Sequence, residues 1–175
     1  MGTLGTACGI ALERLGFNVR GWSRREKRVD GILCFYGDDQ IDSSLLDADI
    51  VVLLLPDTPL TQNILNQHTL NLLKRGAFVL NPGRGPLIDD DALLAALETG
   101  QIEHATLDVF RIEPLPKNHQ YWSNNKVTVI PHKASETRPK TASQVIAMNI
   151  ERAENGQELL YLSLIHISEP TRLAT

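Results

Sequence analysis

Ala77-Phe78-Val79-Leu80-Asn81-Pro82-Gly83-Arg84-Gly85 starts as a strand and stops abruptly. Ala77 to Leu80 is apolar and suits a buried strand, and Asn81-Pro82-Gly83 are turn formers. One arginine then stands between two glycines. Glycines on either side let the backbone come close to a ligand while the guanidinium reaches it. Further along, Glu113 sits in Arg-Ile-Glu-Pro and His132 in Ile-Pro-His. An Arg, a Glu and a His, each past the end of a predicted strand, suggest acid–base chemistry on a carboxylated substrate.

Working outward, the chain alternates helical and strand patterns. Leu4, Cys8, Ala11, Leu12 and Leu15 recur at helical spacing up to Gly16, which makes Cys8 a core residue of that helix. Phe17 to Trp22 reads as a strand, followed by the basic turn Ser23-Arg24-Arg25-Glu26-Lys27-Arg28. Ser43 to Ala48 is a short helix, and Ile50 to Leu55 a continuous apolar run that fits a strand buried on both faces. Pro59 to Asn63 and Asn66 to Lys74 read as helices. So does Asp89 to Glu98, with acidic residues at its start and Gly100 past its end. Ala105 to Val109 and Val127 to Ile130 are strands. Ala142, Val145, Ile146, Ile150 and Ala153 form the apolar stripe of a final helix. The order implies an α/β fold, a Rossmann-type doubly wound parallel sheet with right-handed crossovers.

A dinucleotide fold opens with a strand running into Gly-x-Gly-x-x-Gly. Met1-Gly2-Thr3-Leu4-Gly5 supplies only the later positions of that motif, so the first strand is expected to be missing. Residues 1 to 155 are read as the dinucleotide-binding domain, truncated at its N-terminus, and 156 to 162 as the start of a return segment towards a substrate domain. Residues 163 to 175 read as a non-native tail, because Ser-Leu-Ile-His-Ile-Ser-Glu-Pro-Thr-Arg resembles translated sequencing-adapter read-through.

At 175 residues the chain can build one domain with its own core. Its formal charge of −4 favours neither nucleic acid nor an anionic membrane as partner. No apolar run approaches the roughly 20 residues a spanning helix needs. Cys8 and Cys34 form neither a metal spacing nor a disulfide framework, and a reducing cytoplasm is the default reading. Asp89-Asp90-Asp91 suits a helix cap better than a metal site. His68, His104, His119 and His166 fall in no spacing that gives them partners.

With Asn81-Pro82-Gly83-Arg84-Gly85, Glu113 and His132 in place, the chain resembles the D-isomer-specific 2-hydroxyacid dehydrogenases, in particular their bacterial glyoxylate/hydroxypyruvate reductase A subgroup. The likeness runs through Leu55-Pro56-Asp57-Thr58-Pro59-Leu60-Thr61, Asp89 to Leu97, Leu107-Asp108-Val109-Phe110 and Glu113-Pro114-Leu115-Pro116. It continues through Trp122, Pro131-His132-Lys133-Ala134 and Thr137-Arg138-Pro139, covering about residues 1 to 160. Lys133 departs from the family, which usually has an apolar residue there.

The resemblance implies a role for each candidate. Arg84 would bind the substrate carboxylate and polarise the C2 carbonyl. His132 would give the carbonyl oxygen a proton, and Glu113 would hold His132 and favour its imidazolium. The bland readings are a loop-capping arginine, a satisfied loop histidine and a solvated carboxylate. For the cofactor, amides at Thr3 and Leu4 would meet a pyrophosphate, with Gly2 permitting close approach and Gly5 helix–strand packing. Leu55, Pro56 and Thr61, with Pro82, Gly83 and Ala134, would line the cofactor groove. Asp108 resembles the carboxylate near the nicotinamide amide, although a turn aspartate is a serious competitor. Ser23, Arg24 and Arg25, with Lys27 in support, follow the second strand of the fold with no acid at its end. They favour NADPH (NADP) over NADH.

The function expected is reduction of 2-ketoacids such as glyoxylate and hydroxypyruvate, by a homodimer formed through this domain. The chain alone is expected to be inactive. Two rivals share these residues: a dinucleotide-sensing corepressor-type binding protein, and another family reaction such as phosphoglycerate oxidation. Turnover of glyoxylate by a full-length parent would separate enzyme from corepressor.

Overall fold

The computed structural model describes residues 1–135 and 138–161. Residues up to Ser135 form one compact unit and the described residues after it belong to a second.

The first unit runs α1 (Thr3–Arg14), β1 (Arg20–Ser23), β2 (Leu33–Tyr36), α2 (Ile41–Leu45), β3 (Ile50–Val52), α3 (Gln67–Leu72), β4 (Ala77–Asn81), α4 (Asp90–Glu98), β5 (Ile102–Leu107) and β6 (Val127–Val129). Every strand pairing is parallel. The strands form two sheets, β1-β2 and β3-β4-β5-β6. The break falls between the first two strands and the rest, where a doubly wound sheet of order 3-2-1-4-5-6 holds its first strand. Met1 occupies the free edge of β1: its α-amino group donates to the Trp22 carbonyl, and Lys27 Nζ donates to the Met1 carbonyl at 3.1 Å. The Met1 thioether fills the space beside Gly21, where a Cβ would fall 2.4 Å from the sulfur.

The core belongs to the four-stranded sheet. Val79 and Ala105 are fully buried on β4 and β5, and Leu70, Leu93 and Leu97 cover them from α3 and α4. Both helices have working N-caps. Asn66 accepts from the His68 and Thr69 amides in a capping box, and Asp89 accepts from the Ala92 amide. The segment from Asn63 to Leu65 lies along Pro86 to Asp89. It is fastened there by Asn63 N to Pro86 O, Leu65 N to Leu87 O and Asp89 N to Leu65 O, at 2.8 to 3.0 Å.

Several expectations are corrected. Pro59 to Asn63 is a turn, not a helix: Thr61 Oγ1 donates to the Pro56 carbonyl and accepts from the Thr58 amide, which curls the chain locally. Ile50 to Leu55 is strand only to Val52, and Ile50 is 47% exposed, so the run is not buried on both faces. The Phe17 to Trp22 strand begins at Arg20, leaving Phe17 exposed. The strand β2 was not anticipated. In α1, Leu4 and Leu15 are exposed, Cys8 is only half-buried, and Gly9 is the buried residue.

The close-packing glycine of α1 is accordingly Gly9 rather than Gly5. A Cβ on Gly9 would come within 2.8 Å of Ile32 Cδ1, whereas one on Gly5 would meet only Met1 Sδ at 3.8 Å. Alanine in place of an interior helical glycine gains about 0.5–1 kcal/mol where there is room. We expect Gly5→Ala to stabilise the chain by that amount in urea unfolding and Gly9→Ala to lose it. Equal effects at both sites would show that the packing of α1 is different.

In the second unit, α5 (Pro139–Glu154) starts with proline at its first position, and its last turn carries Arg152. Asn149 braces the following segment with a pair of hydrogen bonds to Leu160, at 2.8 and 3.2 Å. Ile146 and Ile150 of its apolar stripe are exposed. Thr137, His166 and the whole Leu162–Thr175 tail lie outside the described residues.

Candidate active site

The carboxyl ends of β4, β5 and β6 bring the three candidate residues into neighbouring loops. After β4, Asn81 is buried and turns its side chain on its own loop: Oδ1 accepts from the Gly83 amide at 3.1 Å, and Nδ2 donates to the Arg84 carbonyl at 3.0 Å. That loop leaves Arg84 exposed, with one guanidinium hydrogen bond to the Gly83 carbonyl at 2.7 Å.

The flanking glycines are required by the protein's own packing, a reason the sequence reading did not include. A Cβ on Gly83 would lie 2.8 Å from the Leu53 carbonyl oxygen, and one on Gly85 would lie 1.9 Å from the Phe110 carbonyl carbon. The loop bearing Arg84 is therefore packed against the ends of the β3 and β5 segments at backbone distance.

After β5, Asp108 is 4% exposed, and its Oδ1 accepts from the amides of Lys133 and Ala134 at 2.6 and 2.9 Å. Its carbonyl accepts from the His132 amide at 2.8 Å. Asp108 thus ties the β5 loop to the β6 loop, the turn-aspartate alternative made concrete. His132 is held in the left-handed region, at φ 52°. Non-glycine residues adopt that conformation where surrounding contacts impose it, and such positions cluster at functional sites.

His132 Nδ1 lies 2.9 Å from Glu113 Oε2, and the other oxygen of Glu113 accepts from the Phe110 amide at 3.0 Å. Burial pushes the Glu113 carboxyl upward. The His132 hydrogen bond, the Phe110 amide and the charges of His132 and Arg84 together outweigh that and hold it below its usual value. Glu113 is thus an anion at neutral pH, and its partner is the imidazole. With Nδ1 engaged, Nε2 is the nitrogen left to exchange a proton with a ligand.

Contacts of Arg111 and Tyr121, to which the sequence reading gave no role, reinforce these loops. Arg111 donates to Asn63 Oδ1, to the Ile88 carbonyl and, at 3.4 Å, to the Pro86 carbonyl, and its Nε is 3.6 Å from Asp90 Oδ2. Tyr121, 2% exposed, donates its hydroxyl to Asp90 Oδ1 at 2.8 Å. Burial first and the Asp90 charge second push the phenol well above its ordinary value, so it stays a donor. Arg111 stands in the Arg-Ile-Glu-Pro stretch, but its partners lie 21 to 48 positions away and no local pattern marks them.

The remaining dinucleotide candidates lie at the N-terminus of α1 and the end of β1. The N-terminus of α1 has no side-chain cap and no acid in its first turn, and a Cβ on Gly2 would meet nothing within 4 Å. Uncapped amides beside open space suit a pyrophosphate, so the donor chemistry fits a dinucleotide. Ser23 closes β1 and donates to the Arg25 carbonyl at 3.0 Å. Arg28 pairs with Glu26, while Arg24 and Arg25 are exposed and, among the described residues, form no ion pair. Thr61 is 2% exposed with its hydroxyl committed to its own turn, so it shapes the loop after β3 instead of presenting a group to the groove.

Among the described residues the other histidines do have partners. His68 meets Asp42 Oδ2 and His104 meets Thr128 Oγ1, each at 2.8 Å, while His119 caps the turn at Tyr121. Among the described residues no three His, Cys, Asp or Glu side chains gather as a metal site would require. No described helix is long and apolar enough to cross a membrane.

A family model described as D-isomer specific 2-hydroxyacid dehydrogenase, NAD binding domain, matches residues 1–134. The chain belongs to the D-isomer specific 2-hydroxyacid dehydrogenases. It is 45% identical over 156 residues to a glyoxylate/hydroxypyruvate reductase A of Serratia proteamaculans, covering 89% of this chain and 50% of the relative. A D-isomer specific 2-hydroxyacid dehydrogenase from Xanthobacter autotrophicus, solved with NADPH and MES, superposes with a TM-score of 0.87 at 46% identity. The match covers 91% of this chain and 66% of that one. An NADPH-dependent glyoxylate/hydroxypyruvate reductase from Sinorhizobium meliloti, solved with NADP and sulfate, gives a TM-score of 0.87 at 32% identity, over 93% and 53%. The chain spans about half the length of the curated relatives it matches. It is thus the NAD(P)-binding domain of this family, with a Rossmann-like parallel α/β fold.

Proposed function

We propose that the chain is the dinucleotide-binding half of a reductase that converts glyoxylate, hydroxypyruvate or a close relative to the 2-hydroxyacid, with NADPH preferred. The observation that carries this reading is the 2.9 Å contact of His132 Nδ1 with Glu113 Oε2, beside an exposed Arg84. Reduced nicotinamide, when bound, supplies the hydride to C2. Arg84 presents the rest of its fork to the substrate carboxylate, which fixes the carbonyl carbon in place. His132 gives the proton on Nε2 to the carbonyl oxygen, and Glu113 holds the ring from behind through Nδ1. The amides of Thr3 and Leu4 receive the pyrophosphate. Leu55, Pro56, Pro82, Gly83, Asp108 and Ala134 border the cofactor. The full protein acts in the cytoplasm as a homodimer.

The preference for NADPH rests on Arg24 and Arg25. Glu26 engages Arg28 and the Met1 carbonyl engages Lys27, which leaves these two guanidinium groups for a 2′-phosphate. Ser23 could assist only by releasing the Arg25 carbonyl. A charge-assisted hydrogen bond is worth about 1.5–3 kcal/mol, so Arg24→Ala should cut kcat/KM for NADPH by on the order of tenfold or more and leave NADH nearly unaffected. The measurement is glyoxylate and hydroxypyruvate reduction by the full-length protein with both cofactors. No turnover of either acid sinks the reductase reading. Equal losses with both cofactors remove Arg24 from the phosphate site.

A further inference from the structure

The guanidinium of Arg111 joins its own loop to two other stretches of chain. It donates to the side chain of Asn63 in the turn that follows β3, and to the carbonyls of Ile88 and Pro86 just beyond Arg84. Its Nε pairs with Asp90 in the first turn of α4, at 3.6 Å and with both side chains about two-thirds covered or more. Asp90 is itself fixed by the Tyr121 hydroxyl. A planar guanidinium suits this task, because Nη2 meets the Asn63, Ile88 and Pro86 oxygens while Nε, at a fixed angle to it, faces Asp90.

The position of Arg111 in the chain gives the arrangement its consequence. The preceding residue, Phe110, packs its carbonyl against Gly85 with no room for a Cβ, and its amide holds one oxygen of Glu113. Two residues after Arg111, Glu113 meets His132. Fixing Arg111 therefore fixes the register between the loop carrying Arg84 and the loop carrying Glu113.

We propose that Arg111 is a positioning residue, which clamps the 110–113 loop onto the 85–90 segment and so sets the geometry of the Glu113–His132 pair. This deepens the reductase reading, on which the importance of that pair rests. The charged and titratable groups involved are His132 and Arg84 facing Glu113, and Asp90, with Tyr121 behind it, facing Arg111.

The test needs no turnover and uses the chain as it is. Carboxyl ¹³C NMR follows the titration of Glu113 in the wild type and in Arg111→Ala, Arg111→Lys and His132→Ala. Thermal midpoints are recorded beside it. His132→Ala should raise the Glu113 midpoint towards the ordinary carboxylate range, because it removes the main group that lowers it. Arg111→Ala and Arg111→Lys should both move it the same way, Lys because it keeps the charge and loses the fork. A wild-type Glu113 midpoint in Arg111→Lys would mean that charge alone matters and would overturn the clamp. A lowered Tm with an unmoved Glu113 midpoint would reduce Arg111 to a fold-stabilising role and overturn it as well. An unmoved midpoint in His132→Ala would remove the pair through which Arg111 is said to act. Absence of reductase activity in the full-length protein leaves all of these readouts intact, so the two readings fail separately.

Discussion

Replacing His132 by alanine in the full-length protein should lower kcat for glyoxylate by about a hundred- to ten-thousand-fold, the usual worth of a positioned general acid. Affinity for NADPH should change little, because His132 lies in the β6 loop while the proposed pyrophosphate site is at the N-terminus of α1. The size of the expected loss follows from the preparation of the ring. Its backbone is held at φ 52° by amide contacts to Asp108 and Ile130, and its Nδ1 is held by a carboxylate. His68 also meets a carboxylate, that of Asp42 at 2.8 Å, but its backbone is not held in the left-handed region. The imidazole of His132 is also supplied with a partner that remains charged. Glu113 has a depressed value, so the contact is at full strength near neutrality. It is lost as the pH falls through that lowered value, below the ordinary carboxylate range. Stopped-flow measurement of single-turnover NADPH oxidation isolates the chemical step. A small loss in kcat with a large rise in KM for NADPH would place His132 in binding and take the proton from another group.

How much of this could be read from the sequence depends on the range of each contact. Ala77 to Leu80 and the Asp89–Glu98 helix were legible because strand period, turn residues and an N-cap all lie within ten residues of one another. The Glu113–His132 pair was legible only through the resemblance, since the two stand 19 positions apart. Where the reading failed, a contact had overridden a local pattern. Pro59 to Asn63 looked helical, but the Thr61 hydroxyl bonds to Thr58 and Pro56 wind it into a turn. The apolar run Ile50 to Leu55 looked doubly buried, but β3 lies at the end of its sheet and Ile50 is left open. Leu33 to Tyr36 was passed over as a strand; its residues alternate neither cleanly nor with a buried face, and its place comes from parallel pairing with β1. The glycines around Arg84 were legible as necessary but not for their packing. What they meet is the backbone of Leu53 and Phe110, which the sequence does not place beside them.

Those glycines lead to the largest structural effect expected. Gly85→Ala should destabilise the chain by about 3 kcal/mol or more, the upper range for forcing an extra carbon into a packed site, and lower Tm by roughly 10 °C. The nearest atoms to the new Cβ would be the Phe110 carbonyl carbon at 1.9 Å, its oxygen at 2.2 Å and the Arg111 amide nitrogen at 2.4 Å. All three belong to the main chain, so no rotamer change relieves them, and the β4 and β5 loops must part. Parting them would move Phe110, whose amide holds Glu113, so a folded remnant of the variant should also show a weakened Glu113–His132 contact. The contrast is Gly2→Ala, which meets open space and should stay within about 0.5 kcal/mol of the parent in stability. Urea unfolding of both variants decides the matter. If Gly85→Ala unfolds at the same denaturant concentration as the parent, the loops are not in backbone contact. The close seating of Arg84 against the Glu113 loop, and the clamp built on it, would then be wrong together.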